Sequence, residues 1–251
     1  MQTNSVSQAA MAPYSLGAFN ALPEFEESKG RLHAMHNVLD RFGEIVRKHH
    51  VHAFLGASLI HKHFPLYAGE RIVEEVRPDG TLLSPNREIG EDELTPYMWH
   101  LTHEGQTFLW TPVEFVISAT VPQKTWKFAH ELPTRAEFLR ELAELLAAYE
   151  AQDTIGLSLL HRQKVEFDRT TKILLEKPGL HERTLEVKPV DAASASDDWT
   201  QTFWHFGIKA EGQTNFCSSH SCRPCDHQAF CSSHSCRPCD HGGQTPFPPL
   251  D

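Results

Sequence analysis

LGASLIHK at residues 55–62 and IGLSLLHR at residues 155–162 set Gly, Ser, Leu, His and a basic residue in the same order, one hundred positions apart. A period this long is too great for a solenoid and points instead to two fused half-domains. Each copy follows a helical stripe. Leu32, Met35, Leu39, Phe42 and Val46 precede the first, and Phe138, Leu142, Leu145 and Tyr149 precede the second. Spacing of three and four residues predicts helices with one buried face. Thr134 with Glu137, behind Pro133, predicts a capping box at the start of the second helix.

Two further matches follow in the same order. ERIVEEVRPDG (70–80) resembles ERTLEVKPVDA (182–192), and WHLTHEGQTF (99–108) resembles WHFGIKAEGQTNF (204–216). Short runs rich in Val, Ile, Phe and Trp, divided by PDG and HEGQ turns, predict antiparallel strands. The expected class is α+β: an internally duplicated helix-plus-antiparallel-strands unit with pseudo-twofold symmetry, its two long helices packed on a shared sheet. The division is a flexible N-terminal arm over 1–27, a first half over 28–130, a second over 131–216 in one combined domain, and a tail over 217–251. ASASDD at 193–198 predicts a polar loop.

Histidine is enriched, with seventeen in 251 residues. It titrates near neutral pH and is the commonest metal ligand. The repeat pairs His61 with His161 and His100 with His205. Alternation in a strand over 56–64 sets Ala57, Leu59, His61 and His63 on one face, with Ser58 and Ser158 facing away from the histidines. The second half carries Gln163 where the first has His63, so the halves would not make equal sites. His61, His63 and His100 are therefore the candidates for acid–base or metal chemistry, with His161 and His205 as counterparts. The competing role is that of core histidines bonded to backbone carbonyls. The chain has no GxSxG elbow, P-loop or dinucleotide fingerprint, and no cysteine before residue 217.

All six cysteines fall in the tail, where CSSHSCRPCDH occurs twice without change. Each unit offers three thiolates and two imidazoles, and tetrahedral zinc takes four such ligands. The candidate ligands are Cys217, His220, Cys222, Cys225 and His227 in the first unit, and Cys231, His234, Cys236, Cys239 and His241 in the second. Each unit could hold one zinc, or the two could share a site. Lacking an apolar run, the tail would take its order from the metal. Disulfides, a CxxC redox pair and an incidental duplication are the other readings. In the first half EGQT leads into FLWTPVEFVIS, an evident strand, whereas in the second it leads into NFC and the tail.

A net charge of −10 argues against nucleic-acid partners. No apolar run reaches the length of a membrane span, and the N-terminus does not read as a signal peptide. The expectation is a soluble cytoplasmic protein whose partner is another protein or a small-molecule ligand. Two functions fit: an interaction or regulatory module with a zinc-binding tail, or a small-molecule enzyme of a specialised biosynthetic pathway. The enzyme would use His61, His63 and His100 in a cleft between the halves.

Overall fold

Val38, Leu39, Phe42, Ile45 and Val46 form the buried stripe of helix α3 (His36–Lys48), and Phe138, Leu139, Leu142, Leu145 and Leu146 that of α5 (Ala136–Ala148). Each such side chain, fully buried, contributes roughly 1.5–3 kcal/mol. The two helices pack on each other. Both end in the same way, with a non-glycine residue in the left-handed region, His50 at φ 55° and Glu150 at φ 52°. Behind them the Val51 and Ala151 amides reach back to the Val46 and Leu146 carbonyls, closing Schellman-type caps. The computed structural model describes residues 8–105, 107–168, 171–179, 181–194, 200–207, 221–222 and 231–232.

Two expectations for these helices change. The stripe from Leu32 to Val46 is not one helix: Leu32 closes a shorter one, α2 (Phe25–Leu32), and the chain breaks before His36. The Thr134 capping box does not form. Thr134 instead donates to the Glu131 carbonyl in a 3-10 turn, and α5 begins after Arg135 with no side-chain cap. The N-terminal arm is, from Gln8 onward, part of the fold. β1 (Gln8–Met11) pairs with a strand, α1 (Leu16–Asn20) follows, and Phe19 and Leu22 are buried in the core.

The remaining elements in chain order are β2 (Leu55–Leu59), β3 (Arg71–Arg77), β4 (Gly80–Asn86), β5 (Leu94–Glu104), β6 (Thr107–Ile117), α4 (Gln123–Glu131), β7 (Ile155–Leu159), β8 (Lys172–Gly179), β9 (Thr184–Asp191) and β10 (Phe203–His205). Two-residue strands β11 (Ser221–Cys222) and β12 (Cys231–Ser232) follow. They form one curled sheet in the order β10-β2-β7-β5-β6-β3-β4-β9-β8-β12-β11, with β1 added beside β6. The class is α+β, but the sheet is mixed, because β3 and β1 both run parallel to β6.

At the centre β2 and β7 pair antiparallel, with Ala57 opposite Leu157. The two ends answer each other: the Ile60 amide donates to the Thr154 carbonyl at 2.8 Å, and Leu160 to Phe54 at 2.7 Å. Outside this pair, Trp99 of β5 sits opposite Leu157 and Trp204 of β10 opposite Ala57. This crossing explains the glycine of each LGAS-type motif. A Cβ on Gly56 would collide with the Trp204 carbonyl, and one on Gly156 with Ile60 and the Trp99 carbonyl. The match of ERIVEEVRPDG with ERTLEVKPVDA fares differently. Residues 70–80 span the first strand of a hairpin, whereas 182–192 span β9, the second strand of its hairpin.

β12 pairs with β8 at Leu175 and Glu176, so the described part of the tail lies at one end of the sheet. The side chains of all ten Cys and His candidates in the tail, like most of the 193–198 loop, lie outside the described residues.

Candidate functional site

The curl of the sheet brings together strands that are far apart in its order. Ser58 of β2, Leu83 of β4, Tyr97 and Met98 of β5, Glu114 of β6, Ser158 of β7, Glu176 of β8, Leu185 of β9 and Phe203 of β10 all line one cavity. His61, His63, His161 and Arg162 enter it from the segments that follow β2 and β7. The cavity measures about 30 Å³, room for about two waters.

His61 and His161 come from the duplicated motif and are anchored alike. Each donates Nδ1–H to the carbonyl two residues earlier, His61 to Leu59 at 3.0 Å and His161 to Leu159 at 2.9 Å. That bond fixes the tautomer and turns Nε2 of each ring away from the strand. Beyond it the two sites diverge. His61 packs edge-on against His63, with ring centroids 4.6 Å apart. Burial pulls His61 down to about 4, so at neutral pH Nε2 carries a lone pair. Burial, then the nearby His61 and Arg162, hold His63 well below the usual histidine range.

His161 faces charge instead. Its Nε2 donates to Glu74 Oε2 at 3.0 Å, and the Arg162 guanidinium grips the same carboxylate through Nε at 2.5 Å and Nη2 at 2.9 Å. Both ring nitrogens of His161 thus face acceptors. Glu74 has no exposed side-chain surface. Burial alone would raise its carboxyl, but Arg162 and His161 together outweigh burial and hold it well below the ordinary value.

Tyr97 and Glu114 form the third group. The strand pairing slips at Tyr97, where Pro96 is opposite Phe115 and Met98 opposite Glu114. This bulge lets two consecutive residues, Tyr97 and Met98, both line the cavity, which regular alternation forbids. The Tyr97 hydroxyl donates a short hydrogen bond to Glu114 Oε2. Burial pushes Glu114 up to about 7, with Tyr97 opposing and the Glu74 charge assisting. The Tyr97 ring also lies 4.1 Å from that of His161.

Of the sequence candidates, His61, His63 and His161 meet here and His100 and His205 do not. His100 lies farther along β5, its Nε2 donating to Asp153 at 3.1 Å, and His205 Nε2 donates to the His52 carbonyl at 3.2 Å. The expectation that Ser58 and Ser158 face away from the histidines is corrected. β2 stops at Leu59 and β7 at Leu159, so strand alternation does not extend to the histidines, and both serines line the same cavity. Ser58 is committed to the Thr202 carbonyl at 3.2 Å. Sequence reasoning missed Glu74, Tyr97, Glu114 and Arg162.

Among the described residues no group of three or more His, Cys, Asp or Glu side chains is placed to hold a metal ion. No helix among them is long and apolar enough to cross a membrane. No protein-family model, curated protein or solved structure matches this chain.

Proposed function

We propose that this chain is a small-molecule enzyme using general acid–base chemistry, with the cavity of the curled sheet as its reacting site. The observation that carries this reading is the pairing of opposite proton states in one cavity. His61 is a neutral base with an oriented Nε2, while Glu114 sits near 7 and keeps a proton available at neutral pH. Catalytic acids and bases work best when poised near the operating pH, and groups pushed apart by their surroundings take the two roles. The remaining charges hold the frame: Glu74, Arg162 and His161 satisfy one another.

The correspondence of α3–β2 with α5–β7 supports an internal duplication, and the divergence of its two halves explains the site. After the shared histidine the first half has Lys62 and His63 and the second has Arg162 and Gln163, and of these His63 and Arg162 line the cavity. Two similar halves thereby make a neutral wall and a charged wall.

The test is a panel of small neutral and charged fragments, followed through the ring-carbon NMR signals of His61 and Tyr97 in the full chain. The expected result is that at least one fragment shifts both sets of signals, and that Ser158→Leu, which fills the cavity, abolishes the effect. If no fragment of either kind moves them, the cavity is a structural network and this reading fails.

A second reading, zinc held by the tail in an interaction module, draws support from one observation. The β11–β12 pairing sets Cys222 of the first unit opposite Cys231 of the second. That register favours one site shared by the two copies over two independent ones. Purified full chain is then expected to carry close to one equivalent of zinc by mass spectrometry, lost when the chain ends at Phe216. Two equivalents would contradict sharing, and none would remove the metal role.

A further inference from the structure

We infer that Arg183 sets the size of the cavity, because its guanidinium clamps the segment that carries His61 and His63 to the hairpin of β8 and β9. The inference rests on the geometry around Glu70 and goes beyond the acid–base reading, since a size limit holds whatever the cavity takes.

The chain between β2 and β3 brings His61 and His63 to the cavity and then runs on to Glu70. One side of this segment is fixed by the helical N-terminal region. Asn20 brackets Leu66, its side-chain amide donating to the Leu66 carbonyl and its side-chain oxygen accepting from the Leu66 amide, both at 2.9 Å. The other side is held by Arg183, which stands directly before β9. Arg183 Nη2 donates to Glu70 Oε2 at 2.6 Å and to the Pro65 carbonyl at 2.6 Å, and Nη1 donates to Glu70 Oε1 at 3.2 Å. The same guanidinium lies 4.2 Å from the centre of the Tyr67 ring and 5.7 Å from that of Phe64. A planar fork that grips a carboxylate and stacks on rings is specific to arginine. Glu70 is buried, and it also takes Arg87 at 3.2 Å and the Tyr67 amide at 2.7 Å.

The backbone marks this contact as more than a surface ion pair. Arg183 sits at φ 52°, in the left-handed region that glycine enters without cost. An arginine held there costs backbone energy, which its side-chain contacts offset. Its place in the chain ties it to the cavity from both sides. Arg183 is two residues from Leu185, which lines the cavity, and its acceptor Pro65 is two residues from His63, which lines it too. With these two walls fastened together, the space between them takes about two waters. Release of Arg183 leaves the His63 segment held on the Asn20 side alone, and the cavity is then free to widen.

Diethyl pyrocarbonate acylates unprotonated imidazole nitrogens and is far larger than two waters, so its rate at each histidine reports access. The rates are read by mass spectrometry on the full chain at pH 7. In the parent, buried His61 is expected to react at least about 10-fold more slowly than exposed His50. Arg183→Gly removes the side chain and suits the backbone. It is expected to raise the rates at His61 and His63 by about 10-fold while leaving His100, buried elsewhere on β5, unchanged. Glu70→Gln keeps the shape without the charge, and it is expected to raise the same two rates by a smaller factor. That variant carries the test should the glycine variant fail to fold. An equal rise at His100 would mean general loosening and would overturn the clamp. Unchanged rates would overturn it too, as would a parent whose His61 already reacts as fast as His50. A clamp lost while fragments still shift the His61 and Tyr97 signals leaves the acid–base reading standing. A clamp upheld with no fragment shifting them means that the acid–base reading alone has failed.

Discussion

Glu74→Ala is expected to destabilise the fold by about 3–5 kcal/mol, the usual cost of breaking a buried ion pair from one side. Glu74 has no exposed side-chain surface and takes hydrogen bonds from Arg162 and His161. Removing it takes away the carboxylate that the Arg162 guanidinium and the His161 ring share. The exposed i,i+4 pair of Glu27 and Arg31 is the control. Glu27→Ala should cost no more than about 0.5 kcal/mol, because solvent screens that pair and ordering the side chains offsets its attraction. Urea titration of both variants at pH 7 measures the difference. Pairing Glu74→Leu with Arg162→Met should return most of the loss, since a buried ion pair and a well-packed apolar pair are often close in energy. If Glu74→Ala costs less than about 1 kcal/mol, water reaches the pair and the buried charge network does not hold the frame of the cavity.

The parts of this molecule legible in the sequence are those that repeat or alternate. The stripes of α3 and α5, the paired histidines His61 and His161, and the turns around Gly80 and Gly105 all declare themselves through spacing or turn chemistry. The cavity is another matter, because its key residues sit where periodicity breaks. Alternation along β2 cannot place His61, which lies beyond the end of the strand. Tyr97 reaches the cavity only through a bulge.

Signals for these residues were nevertheless present. Pro96 and Pro112 both occur inside strands, where proline marks an edge or a bulge. Glu114 interrupts the run WTPVEFVI, and Glu74 lies within IVEEV. A carboxylate in the middle of an apolar strand is seldom buried without a partner, so each of these was a pointer to a polar interior. What one chain could not supply was the partner. Arg162 and Glu74 are 88 positions apart in the sequence and meet only because the sheet curls.

Glu114→Gln is expected to change how stability depends on pH, by about 3 kcal/mol between pH 4.5 and 7. Burial raises Glu114 from an ordinary 4.5 to about 7. Within that window the folded chain holds a proton that the unfolded chain has lost, so this group's contribution falls as pH rises. At about 1.4 kcal/mol per pH unit, the window amounts to about 3 kcal/mol. Glutamine removes the effect, so the variant gains on the parent steadily from pH 4.5 to 7. His61 acts in the opposite sense. Burial lowers it from 6.5 to about 4, so between those values the unfolded chain holds the extra proton and stability rises with pH. In the parent the two slopes nearly cancel from about 4.5 to 6.5, leaving these groups with little net effect on a denaturation profile. In Glu114→Gln the His61 slope stands uncovered, and stability should climb by about 1.4 kcal/mol per pH unit across that range. His61→Gln should show the reverse, a profile that falls. Two flat profiles would mean that neither group is perturbed, and the acid and the base proposed here would both be lost. The predicted cancellation shows how one cavity can hold a neutral imidazole and a protonated carboxyl together: each costs stability when it keeps the form the reaction needs, but the two costs grow in opposite directions with pH.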